Sequence, residues 1–309
     1  MNKPQKWSFD QIKNIARKNS QVWSTASVLT KVKKNFSCEI VLNSQELDKN
    51  IENLIVVGGG TLIDKAKVWR QENCPEAKLY AIPSIWGSGA ENSPIAVLNK
   101  KNKKVIYNGL EFLPDVRGIW EELSGSLSNE LIKFGSGDVW AHALEGFFSP
   151  LASESVLNLL SQLIKTLESL PVENNPIWYE YSAEASWLQS MSGVGFIHGI
   201  SHILEGVIKE NDQKLNIGHA QLCSIYLWPV FSLNIALSPK IEKLAFKYNL
   251  NLFGIMDVLK TFYDDELYDN LMPAFEKNFK SILRDPCTRI NSALIRPDVL
   301  SYFTGKQFK

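Results

Sequence analysis

All four histidines of this 309-residue chain fall within two short constellations. The first is Gly-Ser-Gly-Asp138-Val-Trp-Ala-His142-Ala-Leu-Glu145. The second is Gly-Phe-Ile-His198-Gly-Ile-Ser-His202, followed further on by Ile-Gly-His219. An Asp and a His four apart on a helix lie one turn apart on the same face, as do two His at that spacing. Two such helices facing each other could bring a carboxylate and three imidazoles to one point. That mix of oxygen and nitrogen donors suits one divalent first-row ion, zinc or ferrous iron. Taken singly, each histidine reads more readily as a packed core residue. Together the balance reverses, because Asp138 lies in an apolar helical segment where an unpaired carboxylate is costly and a cation removes the cost. Glu145 and Glu205 are further acids nearby. The spacing leaves Glu145 open, either as the support of a ligand or as a solvated side chain.

A second kind of chemistry is written in glycine. Gly58-Gly59-Gly60-Thr61-Leu-Ile-Asp64-Lys-Ala-Lys67 follows an apolar strand and opens a helix. Successive glycines let the backbone approach a phosphate, and the unpaired amides of a helix start attract its charge. Alone the segment is a weak signal, since a plain strand–helix turn explains it equally well. A second loop, Ile82-Pro-Ser84-Ile-Trp86-Gly87-Ser88-Gly89-Ala-Glu91, also follows a strand. Two such loops at neighbouring carboxyl ends would flank a crevice suited to a dinucleotide. Candidate cofactor-binding residues are Gly58, Gly59, Gly60, Thr61, Asp64, Ser84, Ser88 and Lys104. For Trp86 and Trp140 core packing is favoured over lining a substrate pocket.

These segments need scaffolding of two textures. Apolar runs at Gln21–Thr25, Glu39–Leu42, Leu54–Val57, Leu79–Ile82 and Arg117–Trp120 alternate with helical patterns at Phe9–Lys18 and Leu62–Gln71. That alternation argues for a parallel sheet with covering helices. Pro94–Leu98 and Lys104–Tyr107 read as an inserted hairpin. From about Ser128, helical spacing dominates, over 137–148, 153–167, 177–191, 198–209, 219–236 and 241–248. The expected architecture is an α/β, Rossmann-like domain over residues 1–125 and an all-helical metal-binding domain over 126–309.

Composition narrows the partners. Thirty-three basic and 33 acidic side chains give a formal net charge of zero, which supplies no attraction to nucleic acid or an anionic membrane. Cys38, Cys74, Cys223 and Cys287 form no paired motif, so neither a disulfide framework nor a thiolate metal site is indicated, in keeping with a cytoplasmic setting. The uncharged stretch Asn216–Pro239 is long enough to span a bilayer, but its polar residues favour a buried helix.

In this order the segments resemble the iron-containing (group III) alcohol dehydrogenase family. Gly58–Lys67 is similar to its Gly-Gly-Gly-Ser-x-x-Asp-x-x-Lys loop, with Thr61 in the serine place. Pro83–Glu91 matches the next loop more loosely, Gly137–Glu145 and Gly195–His202 match its two metal-binding patterns, and Asp285–Asn291 its closing segment. The resemblance implies a Rossmann-like domain, a helical domain, and NAD or NADP in the cleft between them. It also implies ligation of Fe2+ or Zn2+ by Asp138, His142, His198 and His219, with His202 in the proton path. The implied activity is alcohol/aldehyde oxidoreduction of a small molecule, by a homo-oligomer such as a dimer. The rivals are a sugar-acid or polyol dehydrogenase and a non-catalytic binding protein. Ser84-Ile85-Trp86 stands where the family has Thr-Thr-Ala, and the chain is a short, divergent member. No acidic residue follows Gln21–Thr25 to take a ribose hydroxyl, so NAD and NADP both remain admissible.

Overall fold

Side chains alternate along a strand, and in Leu54-Ile-Val-Val57 both faces are buried. Ile55 and Val57 enter one core with Val22, Tyr80, Ile82 and Val116, while Leu54 and Val56 enter another with Trp23, Leu79, Ala81 and Ile63. The computed structural model behind these assignments describes all residues except Met1, 17–18, 101–102 and 212–216. The chain divides into two units. The first comprises Met1–Lys100, Lys104–Ile132 and Asn174–Trp187; the second comprises Lys101–Lys103, Lys133–Glu173 and Leu188–Lys309.

The first unit is built on β1 (Gln5–Ser8), β2 (Ser20–Ser24), β3 (Glu39–Val41), β4 (Asn53–Gly58), β5 (Lys78–Pro83) and β8 (Val116–Ile119). They form one sheet in the order β1-β8-β5-β4-β2-β3, with every pairing parallel. Helices α1 (Phe9–Ile15) and α2 (Leu29–Asn35) contribute Ile12 and Val32 to one face; α3 (Gly60–Asn73) covers the other with Ile63 and Ala66. Strands β6 (Ile95–Lys100) and β7 (Lys103–Asn108) form the separate two-stranded hairpin.

The first strand is not the one at Gln21. It is the edge strand β1, whose side chains are exposed or half-buried and so lack the apolar alternation that marks a strand in sequence. Lys67, fully buried at the centre of α3, donates to Asp64 Oδ1 at 3.0 Å and to the Ile95 carbonyl at 2.7 Å. Asp64 Oδ2 accepts from the Val97 amide at 2.9 Å. This pair ties the hairpin to α3.

The second unit is helical: α4 (Asn129–Phe148), α5 (Glu154–Glu168), α6 (Ile177–Ser190), α7 (Phe196–Asn211), α8 (His219–Leu237), α9 (Pro239–Lys247), α10 (Leu252–Lys260), α11 (Asp265–Ile282), α12 (Pro286–Arg289) and α13 (Leu300–Thr304). Most of α6 belongs instead to the first unit. There Arg117 pairs with Glu180 at 2.7 Å, the Gly87 amide donates to Ser182 Oγ at 2.9 Å, and Asn92 Nδ2 donates to the Ala183 carbonyl at 2.8 Å. Helix α8 has the length and apolarity of a membrane span, but 67% of that stretch is buried among the other helices, as in a core helix.

Candidate metal centre and glycine loops

Asp138, His142 and Glu145 occupy one stripe of α4, and all three are buried. Gly137 beside them is required by close approach: a Cβ there would lie 2.1 Å from Ser224 Oγ of α8. On α7 the same spacing aligns His198, His202 and Glu205, and α8 opens with His219, one turn before Cys223. The imidazoles gather as the sequence expects. Ring centroids lie 4.6 Å apart for His142 and His198, 5.4 Å for His198 and His219, and 5.8 Å for His202 and His219.

Donor atoms of Asp138, His198, His219 and Cys223 all lie within 4.8 Å of one another. His142 stands beside this group, its Nε2 3.7 Å from Asp138 Oδ1. Three of the four expected ligands are thus brought together with the thiol of Cys223, to which no paired cysteine motif had pointed. The signal was present as His219-x-x-x-Cys223, a one-turn spacing. Asp138 Oδ1 is buried without a hydrogen-bond partner. A cation among these donors removes that cost, so the residues fit a divalent ion.

Carboxylates stand behind the imidazoles. Glu145 Oε2 lies 2.6 Å from His198 Nδ1, and Glu205 Oε2 lies 3.8 Å from His219 Nδ1. Glu145 Oε1 accepts from the Ile197 amide at 2.6 Å. Burial pushes Glu145 up to about 7, against the pull of the backbone amides around it. Burial also raises the Asp138 carboxyl and lowers His142 to about 4. Neutral imidazoles are the ligand form; the carboxyl proton is what a cation displaces.

His202 lies apart from the four-donor group, its Nδ1 3.7 Å from Asp285 Oδ2 and 3.8 Å from Cys287 Sγ. Neither neighbour was singled out by spacing, because each reaches His202 from a distant segment. Asn291 secures the start of α7: its Oδ1 accepts from the Phe196 amide at 3.2 Å, and its Nδ2 donates to Asn234 Oδ1 at 2.6 Å.

In the first unit the two loops leave adjacent strands, with Gly58 paired to Pro83 and the Ser84 amide donating to the Gly58 carbonyl at 3.0 Å. Gly59 caps α3 and Gly60 begins it. A Cβ on Gly60 would lie 2.2 Å from Ser88 Oγ. Gly58, Gly59, Gly60, Thr61, Ser84 and Ser88 therefore cluster at one end of the sheet. Asp64 spends both oxygens on Lys67 and Val97, and Lys104 lies on the hairpin strand β7. Trp86 and Trp140 are both buried, Trp86 edge-on to Tyr179 with ring centroids 5.3 Å apart.

The family profile described as iron-containing alcohol dehydrogenase matches residues 7–117. The 1-propanol dehydrogenase PduQ of Salmonella typhimurium is 30% identical over 170 residues, covering 50% of this chain and 45% of that protein. Among solved structures, the iron-containing alcohol dehydrogenase of Thermococcus thioreducens superposes with a TM-score of 0.78 at 17% identity, over 100% of this chain and 99% of that one. The chain thus matches the iron-containing alcohol dehydrogenase model over residues 7–117 and shares the fold of that solved structure. A sulfoacetaldehyde reductase from Bifidobacterium kashiwanohense, solved in complex with NAD+, shares the fold at a TM-score of 0.74 and 16% identity, over 99% of this chain and 97% of that one. The match to PduQ thus spans less than half of that relative's length. The Cys223 thiol in the four-donor group lies outside the ligand pattern that the sequence resemblance implied.

Proposed function

We propose that this chain is a metal-dependent alcohol/aldehyde oxidoreductase that exchanges hydride with NAD or NADP. The observation that carries the reading is the convergence of Asp138, His198 and His219, where Asp138 Oδ1 is buried without a hydrogen-bond partner. Asp138, His142, His198 and His219 hold the ion, Fe2+ or Zn2+. Glu145 turns the Nε2 of His198 toward it by engaging Nδ1 at 2.6 Å, and Glu205 faces His219 Nδ1. The bound ion supplies Lewis acidity toward a hydroxyl or carbonyl oxygen, and the nicotinamide supplies or accepts the hydride.

The remaining steps fall to side chains and backbone. Gly59, Gly60 and Thr61 offer the amides of the α3 terminus to a pyrophosphate. Ser84 and Ser88 add hydroxyls beside it. Asp285 faces His202 Nδ1, which leaves Nε2 to take the hydroxyl proton during oxidation and return it during reduction. Four free cysteines support a reducing, cytoplasmic setting, and a homodimer is the proposed assembly.

The test is metal analysis of the purified chain, then fluorescence titration with NADH and NADPH, then aldehyde reduction followed at the nicotinamide. We expect about one divalent ion per chain, the one-centre stoichiometry for such a set. A chain that holds no metal and binds neither nucleotide is not this enzyme.

A further inference from the structure

We propose that Cys223 is itself a ligand of this centre, its thiolate joining Asp138, His142, His198 and His219 in a mixed oxygen, nitrogen and sulfur set. The inference rests on the metal-centre reading above and adds a donor to it.

Ligand atoms bound to one ion at about 2.0–2.3 Å stand no more than about 4.6 Å apart. Donor atoms of Asp138, His198, His219 and Cys223, all within 4.8 Å of one another, meet that limit with little adjustment. Cys223 is fully buried, one helical turn from His219, and its Sγ lies 3.6 Å from His219 Nε2. That is the nitrogen opposite the one facing Glu205, so sulfur and ligand nitrogen look into the same space. A carboxylate oxygen of Asp138, a residue only 1% exposed, is part of the same group, and its Oδ1 has no hydrogen-bond partner.

Ser201 is the sulfur's other neighbour, with Oγ at 3.2 Å. Its single hydroxyl proton is donated to the Ile197 carbonyl at 2.9 Å, so the hydroxyl can accept from the thiol in the metal-free protein. On metal binding the S–H bond breaks, a metal–sulfur bond forms, and the proton leaves to solvent. The hydroxyl can then turn and donate to the thiolate.

Sulfur biases the choice of ion, since thiolate donors suit zinc better than oxygen-preferring ions.

Cobalt(II) provides the test, because a thiolate bound to it absorbs in the near ultraviolet by charge transfer. The full-length chain, stripped with a chelator, is reloaded with cobalt, and bound metal is measured beside the spectrum. The charge-transfer band is expected in the wild type and in the triple variant Cys38→Ser/Cys74→Ser/Cys287→Ser, where Cys223 is the sole thiol. Cys223→Ser should bind cobalt and keep its visible bands while losing the ultraviolet one. Cobalt bound to the wild type without that band overturns the ligand assignment and leaves the centre standing, as does a band that survives in Cys223→Ser. Absence of cobalt from the wild type overturns both readings. If Cys223→Ser does not fold, the triple variant decides alone: band present supports the thiolate, band absent with cobalt bound rejects it.

Discussion

Glu145 Oε2 lies 2.6 Å from His198 Nδ1, with both residues buried. The contact fixes which imidazole nitrogen faces the centre, and it joins α4 to α7 at the level of the ligands. Glu145→Gln keeps the shape but removes the charge behind the ring. The expected result is a metal affinity lower by about 10–100-fold with an unchanged circular dichroism spectrum. Competition against a calibrated chelator measures it, and an unaltered affinity would reduce the contact to packing.

The proposed ligand role of Asp138 links metal binding to folding. An ion that binds only the folded chain stabilises it by about 2.7 kcal/mol at a hundred times its dissociation constant. The melting temperature of the wild type should therefore rise with the logarithm of free zinc. In Asp138→Ala and His219→Ala the rise should vanish. A thermal shift series in metal buffers reads this directly.

At the glycine loops, Gly60→Ala would drive a methyl to 2.2 Å from Ser88 Oγ and 2.9 Å from its Cβ. The loops must part, pulling the α3 amides away from a pyrophosphate. Loss of about 1.4 kcal/mol of hydrogen bonding corresponds to about tenfold weaker NADH binding. Adding Ser88→Gly makes room for the methyl and should restore part of the affinity. Fluorescence titration compares the three chains.

Glu91 gives the first unit a pH dependence. Burial pushes it up from 4.5 to about 7, opposed by the charges of Arg117 and Lys67 and assisted by that of Glu180. Between those values the folded chain holds a proton that the unfolded chain has lost, so stability falls as pH rises from about 4.5 and levels off above about 7. The full effect is about 3 kcal/mol. Glu91→Gln should flatten the decline and be the more stable chain at pH 8, as denaturant unfolding at pH 5 and pH 8 will establish.

His202 should separate from the ligands by function. His202→Ala is expected to keep its metal and its nucleotide while turnover falls by about 100-fold, a common contribution of general acid–base catalysis. Loss of metal equal to that in His198→Ala would make His202 a ligand instead. A histidine that only packs would change the melting temperature and leave the pH–rate profile alone.

Much of this architecture is legible in the chain because its signals are local. Leu54–Val57 and Leu79–Ile82 are apolar throughout, as a strand covered on both faces must be, and the Asp138/His142 and His198/His202 spacings survive as helix stripes. What escaped was non-local or weakly patterned. β1 has no apolar face, α6 is committed to the α/β unit by contacts with residues about ninety positions away, and α10 to α13 lie beyond residue 248, where no helix was singled out. Glu145 could be assigned only once α7 was seen to lie against it. Cys223 was read by counting cysteines, when its distance from His219 was the informative quantity.

The Asn291 clasp on the Phe196 amide gives the metal centre a place in time as well as in space. The two partners are 95 residues apart in the chain. At about 5–20 residues per second, a ribosome needs about 5–20 s to make that interval. Until then the amide that begins the His198 helix has no clasp, and α8, with His219 at its head, emerges before the side chain that holds it through Asn234. The donor cluster can therefore reach its final form only after Asn291 has been made. The order in which these segments emerge thus sets when the donors of α7 and α8 can be clasped together.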